Sequence, residues 1–170
     1  LKLNPSYIKN IVKKALEEDL KPRGDITTNL IKKKDRVVRA LIIAKQDGVI
    51  AGLDFCKTAF QLIGRELKFK KKVYDGEKVK KNRVIVEIKA KIKTILIAER
   101  TALNFLNHAS GIATTTNQFV KKISKKTKIC CTRKTTPNLR TLEKYAVKMG
   151  GGHNHRYCLL YTSPSPRDRV

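Results

Sequence analysis

Ile129-Cys130-Cys131-Thr132-Arg133-Lys134-Thr135-Thr136-Pro137 runs from an apolar tripeptide, through three hydroxyls and two cations, to a proline. The apolar run at 128–131 reads as a short buried strand. Beyond it, Leu139, Leu142, Tyr145, Ala146 and Met149 recur at helical spacing, and Gly150-Gly151-Gly152 ends them. Before it, Ile95, Ala98, Ala102, Leu106 and Ala109 form one apolar stripe with Leu103 beside it, which predicts a long amphipathic helix. Ser110-Gly111 predicts its stop, with a second helix over 112–123. Helix, strand, loop and helix in that order open an α/β unit. Such folds put their chemistry on loops at the carboxyl ends of parallel strands, and residues 132–136 hold that position.

The earlier part of the chain reads as a mixed α+β region. Asn4 can cap a helix, Pro5 suits its first turn, and Ile8, Ile11, Val12, Ala15 and Leu16 carry the helical period. That helix fades near Glu17-Glu18-Asp19, and Lys21-Pro22-Arg23-Gly24-Asp25 is a turn. Residues 37–44 are apolar and β-branched, as a strand requires. Asp47-Gly48, followed by Val49-Ile50-Ala51, signals a hairpin. Residues 53–63 look helical and stop at Gly64. Residues 67–73 and 84–88 read as further strands, with Asp75-Gly76 as a turn between them.

Composition limits the classes of function. The chain has 170 residues, a hydrophobic share of 41% and a formal net charge of +25. No apolar run approaches the ~18 residues of a membrane span, and no secretory leader pattern opens the chain. Cys56, Cys130, Cys131 and Cys158 lack CxxC spacing and read as reduced thiols of a cytosolic protein, rather than as disulfides or a zinc site. The positive charge allows a nucleic-acid-binding module. Yet the basic residues are spread along the chain, aromatics are 6%, and Trp is absent, so base stacking finds little support. Solvated lysine-rich faces account for such a pattern better than a nucleic-acid footprint does.

Anion chemistry is concentrated at Thr132, Arg133 and Lys134. A guanidinium grips a carboxylate or phosphate with two parallel hydrogen bonds, whereas an ammonium supplies a point charge. His155 and Arg156 follow the glycine run, where the backbone can approach a ligand closely or where a helix merely stops; spacing leaves both open. His153 and His155 have no third metal ligand nearby, so no metal site is expected. Glu99 and Arg100 lie beside the apolar stripe of the long helix and, from spacing alone, read as a solvated pair.

Several ordered motifs then coincide. The helix carries Ala98-Glu99-Arg100-Thr101-Ala102-Leu103-Asn104-Phe105-Leu106 and Ser110-Gly111-Ile112-Ala113-Thr114. The loop carries Thr132-Arg133-Lys134-Thr135-Thr136-Pro137, followed by Leu139-Arg140, Glu143-Lys144-Tyr145-Ala146-Val147, Gly150-Gly151-Gly152 and Asn154-His155-Arg156. With Glu18-Asp19-Leu20 and Gly24-Asp25-Ile26-Thr27-Thr28, these resemble quinolinate phosphoribosyltransferase (nicotinate-nucleotide pyrophosphorylase, carboxylating) over residues 3–157.

The resemblance implies an α+β N-terminal sandwich domain over residues 1–105, followed by the start of an α/β barrel over 106–157. It implies transfer of a phosphoribosyl group from phosphoribosyl pyrophosphate to quinolinate with decarboxylation, in a cytoplasmic homodimer that shares its active sites and uses Mg²⁺ with the donor. By resemblance, Arg133, His155 and Arg156 line the quinolinate site, Thr132 supports the loop, Lys134 sits by the donor as the catalytic cation, and Arg100 reaches the partner's site. Cys131 stands where members usually have Asp, and Asn138 where Gly is usual; Asn also tolerates left-handed backbone. Residues 158–170 carry two prolines and no periodic pattern, and read as a non-native tail. The family's later lysine and carboxylates are expected beyond Tyr157, so the 170-residue chain is expected to be inactive. A related phosphoribosyltransferase with another ligand, or a basic nucleic-acid-binding module, is the alternative.

Overall fold

The fold is taken from a computed structural model that describes residues 3–20, 36–124 and 126–155. The turn at 21–25, the Gly24–Thr28 motif, Arg156 and the tail at 158–170 lie outside the described residues.

Helix α1 spans Pro5–Leu20 and buries Ile8, Val12 and Leu16. Asn4 caps it as the sequence predicts, its Oδ1 accepting the Ser6 N–H at 2.9 Å. Strand β1 (Val37–Ile43) pairs antiparallel not with its sequence neighbour but with β5 (Val84–Lys91), from Val37↔Lys91 to Ile43↔Val84. Strand β3 (Lys68–Lys71) pairs with the other edge of β5, giving the order β1-β5-β3.

The hairpin predicted at Asp47-Gly48 does not form. Strand β2 (Gly48–Val49) pairs instead with β4 (Lys78–Val79). The Asp47 side chain is occupied elsewhere: its carboxylate accepts the Lys81 N–H at 2.8 Å and the Lys80 ammonium at 2.7 Å. An aspartate that clamps a distant turn no longer shapes its own.

Helix α2 (Leu53–Ile63) ends at Gly64, as read, and packs on helix α3 (Ile92–Lys122). The predicted stop at Ser110-Gly111 is wrong, because α3 runs unbroken through it for 31 residues. An interior glycine costs a helix about 1 kcal/mol, and tertiary bonds offset that here. Ser110 Oγ accepts the Ala51 N–H at 3.1 Å, and Thr114 Oγ1 accepts the Val49 N–H at 2.9 Å. The helix therefore completes the hydrogen bonding of β2 and the segment after it. Ala98, Ala102, Ala109 and Ala113 keep its inner face narrow, so α2 and the sheet approach closely. The core lies there, around Leu53, Phe55, Phe60, Val73, Val86 and Ile88.

Strand β6 (Cys130–Cys131), helix α4 (Arg140–Met149) and strand β7 (His153–Asn154) complete the described chain. β6 and β7 are parallel, so the three elements form one βαβ unit. β6 is less buried than its sequence suggests: Cys130 is exposed and Cys131 half-buried, because β7 is its one strand neighbour among the described residues. No helix among the described residues is long and apolar enough to cross a membrane.

Candidate functional site

The register Cys130↔His153 and Cys131↔Asn154 puts Thr132 and His155 at adjacent carboxyl ends of two parallel strands. Thr132, which opens the cationic loop, and the histidine, 23 residues apart in sequence, thus leave the same edge side by side.

Of the two readings that spacing left open for the glycine run, the helix stop is seen, since α4 ends at Gly150, and the close approach that the run allows is to α3. A Cβ at Gly150 would lie 2.3 Å from the Ala113 carbonyl oxygen, so α4 and β7 can lie against α3 only if that position has no side chain. Asn117 Nδ2 donates to the Gly150 carbonyl oxygen at 3.1 Å and fixes the crossing.

Residues of α4 hold the loop from below. Arg140 Nε donates to Thr135 Oγ1 at 3.1 Å. Glu143 Oε2 accepts the Thr136 N–H at 3.2 Å, while its Oε1 meets His108 Nε2 of α3 at 3.0 Å. Lys144 Nζ donates to Cys131 Sγ at 2.9 Å and to the Thr132 carbonyl oxygen at 3.4 Å. Within the loop, Thr132 Oγ1 accepts the Lys134 N–H at 3.1 Å and the Arg133 carbonyl accepts the Thr135 N–H at 2.9 Å. Asn138 adopts φ 64°, the left-handed turn its side chain tolerates, and its carbonyl accepts the Tyr7 hydroxyl of α1 at 3.0 Å.

Arg133 is half-buried, and its Nε is the one buried side-chain nitrogen or oxygen without a partner among the described residues. A buried guanidinium nitrogen left unpaired costs free energy, so an acceptor at this position would be stabilising. Lys134 and Thr132 are exposed, and His155 is half-buried. Arg100 is exposed on α3 and makes no hydrogen bond or ion pair with the loop among the described residues. Arg156 lies outside the described residues. No three His, Cys, Asp or Glu side chains converge into a metal site among the described residues.

Residues 25–110 match the family model for the quinolinate phosphoribosyl transferase N-terminal domain, and residues 112–162 match that for its C-terminal domain. The chain belongs to the quinolinate phosphoribosyltransferase family. It is 46% identical over 156 residues to a probable nicotinate-nucleotide pyrophosphorylase [carboxylating] of Methanocaldococcus jannaschii, covering 90% of this chain and 53% of that protein. Among solved structures it resembles the nicotinate-nucleotide pyrophosphorylase of Francisella tularensis, with TM-score 0.88, 39% identity, and coverage of 93% of this chain and 56% of that one. A Streptococcus pyogenes structure of this family matches with TM-score 0.89 at 40% identity, over 94% of this chain and 56% of that one. The chain therefore spans about half the length of the relatives it matches. Its architecture is that of the quinolinate phosphoribosyltransferase family: an α+β N-terminal domain followed by the first part of an α/β barrel. The two family-model matches meet within α3, so one helix is common to both regions.

Two residues that shape this loop were given no role by the sequence reading. Lys144 is 0% exposed, and Glu143 ties the loop to α3. Both sit off the apolar stripe of α4 and carry the charges of surface residues. Their only signal was their place in the motif Glu143-Lys144-Tyr145-Ala146-Val147.

Proposed function

We propose that the whole protein transfers a phosphoribosyl group from phosphoribosyl pyrophosphate to quinolinate, giving nicotinate mononucleotide, pyrophosphate and carbon dioxide. The observation that carries this reading is the buried, unpartnered Nε of Arg133, beside the strand end that bears His155. Two carboxylates on one ring need separate cationic holders. Arg133 grips one with its planar fork and His155 serves the other, with Arg156 assigned beside it by family resemblance alone.

The chemistry follows from this placement. The pyridine nitrogen attacks the anomeric carbon as the bond to pyrophosphate breaks, and the bond pair leaves with pyrophosphate. The ring nitrogen, now cationic, stabilises the electron pair that the breaking C–CO₂⁻ bond leaves on the adjacent ring carbon; carbon dioxide departs, and that carbon takes a proton from solvent. Lys134, exposed beside Arg133, stabilises the charge that builds on the donor's phosphates. Thr132 keeps the loop closed through the Lys134 N–H. In this reading Mg²⁺ arrives with the donor's phosphates, and no step here passes through that ion. Arg100, which makes no hydrogen bond or ion pair with its own loop among the described residues, serves the site of a second copy in a homodimer. The same reading makes this a cytoplasmic enzyme.

The test is calorimetry of the whole protein with quinolinate. Arg133→Ala abolishes measurable binding, and unchanged affinity overturns the reading.

A further inference from the structure

Lys144 is the one charged side chain buried among the described residues, at 0% exposure. A buried ammonium is costly unless it is paired, and no carboxylate pairs with it among the described residues. Its partners are the sulfur of Cys131 at 2.9 Å and the carbonyl of Thr132 at 3.4 Å. The same sulfur reaches Asn154 Oδ1 at 3.3 Å. Cys131 ends β6 and runs directly into the cationic loop; Asn154 ends β7 and runs directly into His155. One thiol thus joins α4, the root of the loop and the root of the histidine segment.

We propose that Cys131 is a positioning residue for the anion site: its sulfur holds Lys144 on one side and Asn154 on the other, and so fixes the loop at 132–136 relative to His155. This rests on the reading that the loop and His155 together bind quinolinate. Neither Cys131 nor Lys144 touches the substrate in this account. A carboxylate in place of the thiol preserves the arrangement, because it also accepts from the ammonium, and the Asn154 amide can turn its nitrogen toward it. A methyl group in place of the thiol leaves the ammonium without its main partner.

The experiment uses the whole protein with Cys131→Ala, Cys131→Asp, Lys144→Met and the double variant Cys131→Ala/Lys144→Met. Three quantities are read: the quinolinate dissociation constant, hydrogen exchange of the peptide spanning 132–136, and the thermal midpoint. The double variant replaces both polar partners by apolar ones, so it folds even where Cys131→Ala alone does not. It should recover the thermal midpoint yet bind quinolinate about tenfold more weakly, with faster exchange confined to the loop. Cys131→Asp should keep affinity within about threefold of the parent. Parent-like affinity and loop exchange in the double variant overturn the proposal, because the couple would then serve stability alone. Loss of affinity in Cys131→Asp equal to that in Cys131→Ala also overturns it. Should the parent itself not bind quinolinate, the functional reading fails and loop exchange decides: faster exchange in the double variant sustains the positioning role, and unchanged exchange removes it.

Discussion

Glu143 Oε2 accepts the backbone N–H of Thr136 at 3.2 Å, from a side chain whose other oxygen meets His108 at 3.0 Å. One carboxylate, 13% exposed, therefore spans α3, α4 and the cationic loop. Glu143→Ala leaves the Thr136 N–H without its acceptor and the loop without its tie to α3. Stability should fall by about 1–2 kcal/mol, and quinolinate affinity should fall with it. Glu143→Gln keeps an acceptor for Thr136 and should lose less. Denaturant titration of the two variants, run beside quinolinate calorimetry, gives that ranking; equal losses would show that the carboxylate's charge matters more than its geometry.

Gly150 is a second fixed point. An added methyl would meet the Ala113 carbonyl oxygen at 2.3 Å, and backbone cannot yield as a flexible side chain can. Gly150→Ala should destabilise the protein by roughly 3 kcal/mol, through displacement of α4 from α3. The control is Gly111→Ala, where nothing lies within 4 Å of the added methyl. In mid-helix that change should be neutral or stabilising by up to about 1 kcal/mol. Thermal unfolding of the pair gives opposite signs if the crossing is as described.

Much of this arrangement is legible in the chain, and the missed parts share one physical cause. Helices α1, α2 and α4 announce themselves because their caps and apolar periods are local: Asn4 and Pro5, Gly64, Gly150. Ser110-Gly111 misleads because its serine is used by Ala51, a partner 59 residues away. Asp47-Gly48 misleads for the same reason, since its carboxylate is held by Lys80 and Lys81. The site divides likewise. Arg133 is recognisable from its own chemistry and its neighbours, whereas Lys144 looks like any exposed helical lysine. Its burial depends on Cys131, on a strand that α4 meets only in three dimensions.

Asp75 makes the fold sensitive to pH. It accepts the Leu53 N–H at 3.2 Å and the Tyr145 hydroxyl at 2.7 Å. Burial raises its pKa above the ordinary 3.8, and the hydrogen bonds from Tyr145, Leu53 and Gly52 only partly oppose that. Burial likewise raises the Tyr145 phenol, with the Asp75 charge adding to it. Because the folded value for Asp75 is the higher one, its contribution is full below the unfolded value and is lost as pH climbs through the folded value. The stability of the parent relative to Asp75→Asn should therefore decline with rising pH above 3.8, then level off. Denaturant titrations of both proteins from acid to neutral pH give that difference, and a difference that grows with pH contradicts the burial argument.

The 170-residue chain covers 53% of its Methanocaldococcus jannaschii relative, so the remaining barrel strands and their loops lie outside it. Mixed with quinolinate, phosphoribosyl pyrophosphate and Mg²⁺, the chain alone should release no nicotinate mononucleotide. Product above the background of a heat-denatured control would mean that the residues up to His155 and Arg156 suffice for the chemistry.

Arg100 gives the last prediction, because its place on α3 separates two designs. If it serves the site of a second copy, Arg100→Ala and Arg133→Ala damage residues from different subunits at any one site. Each variant of the whole protein alone is then inactive. When subunits are mixed and allowed to exchange, about half of the dimers are mixed, and one of the two sites in each has both arginines. Activity should return to about a quarter of the parent value after exchange at equal concentrations. If Arg100 instead acts within its own subunit, every site in a mixed dimer lacks one arginine and mixing restores nothing. Product formation before and after exchange decides between the two, and parent-like activity of Arg100→Ala by itself would return Arg100 to the solvated surface pair that spacing alone suggests.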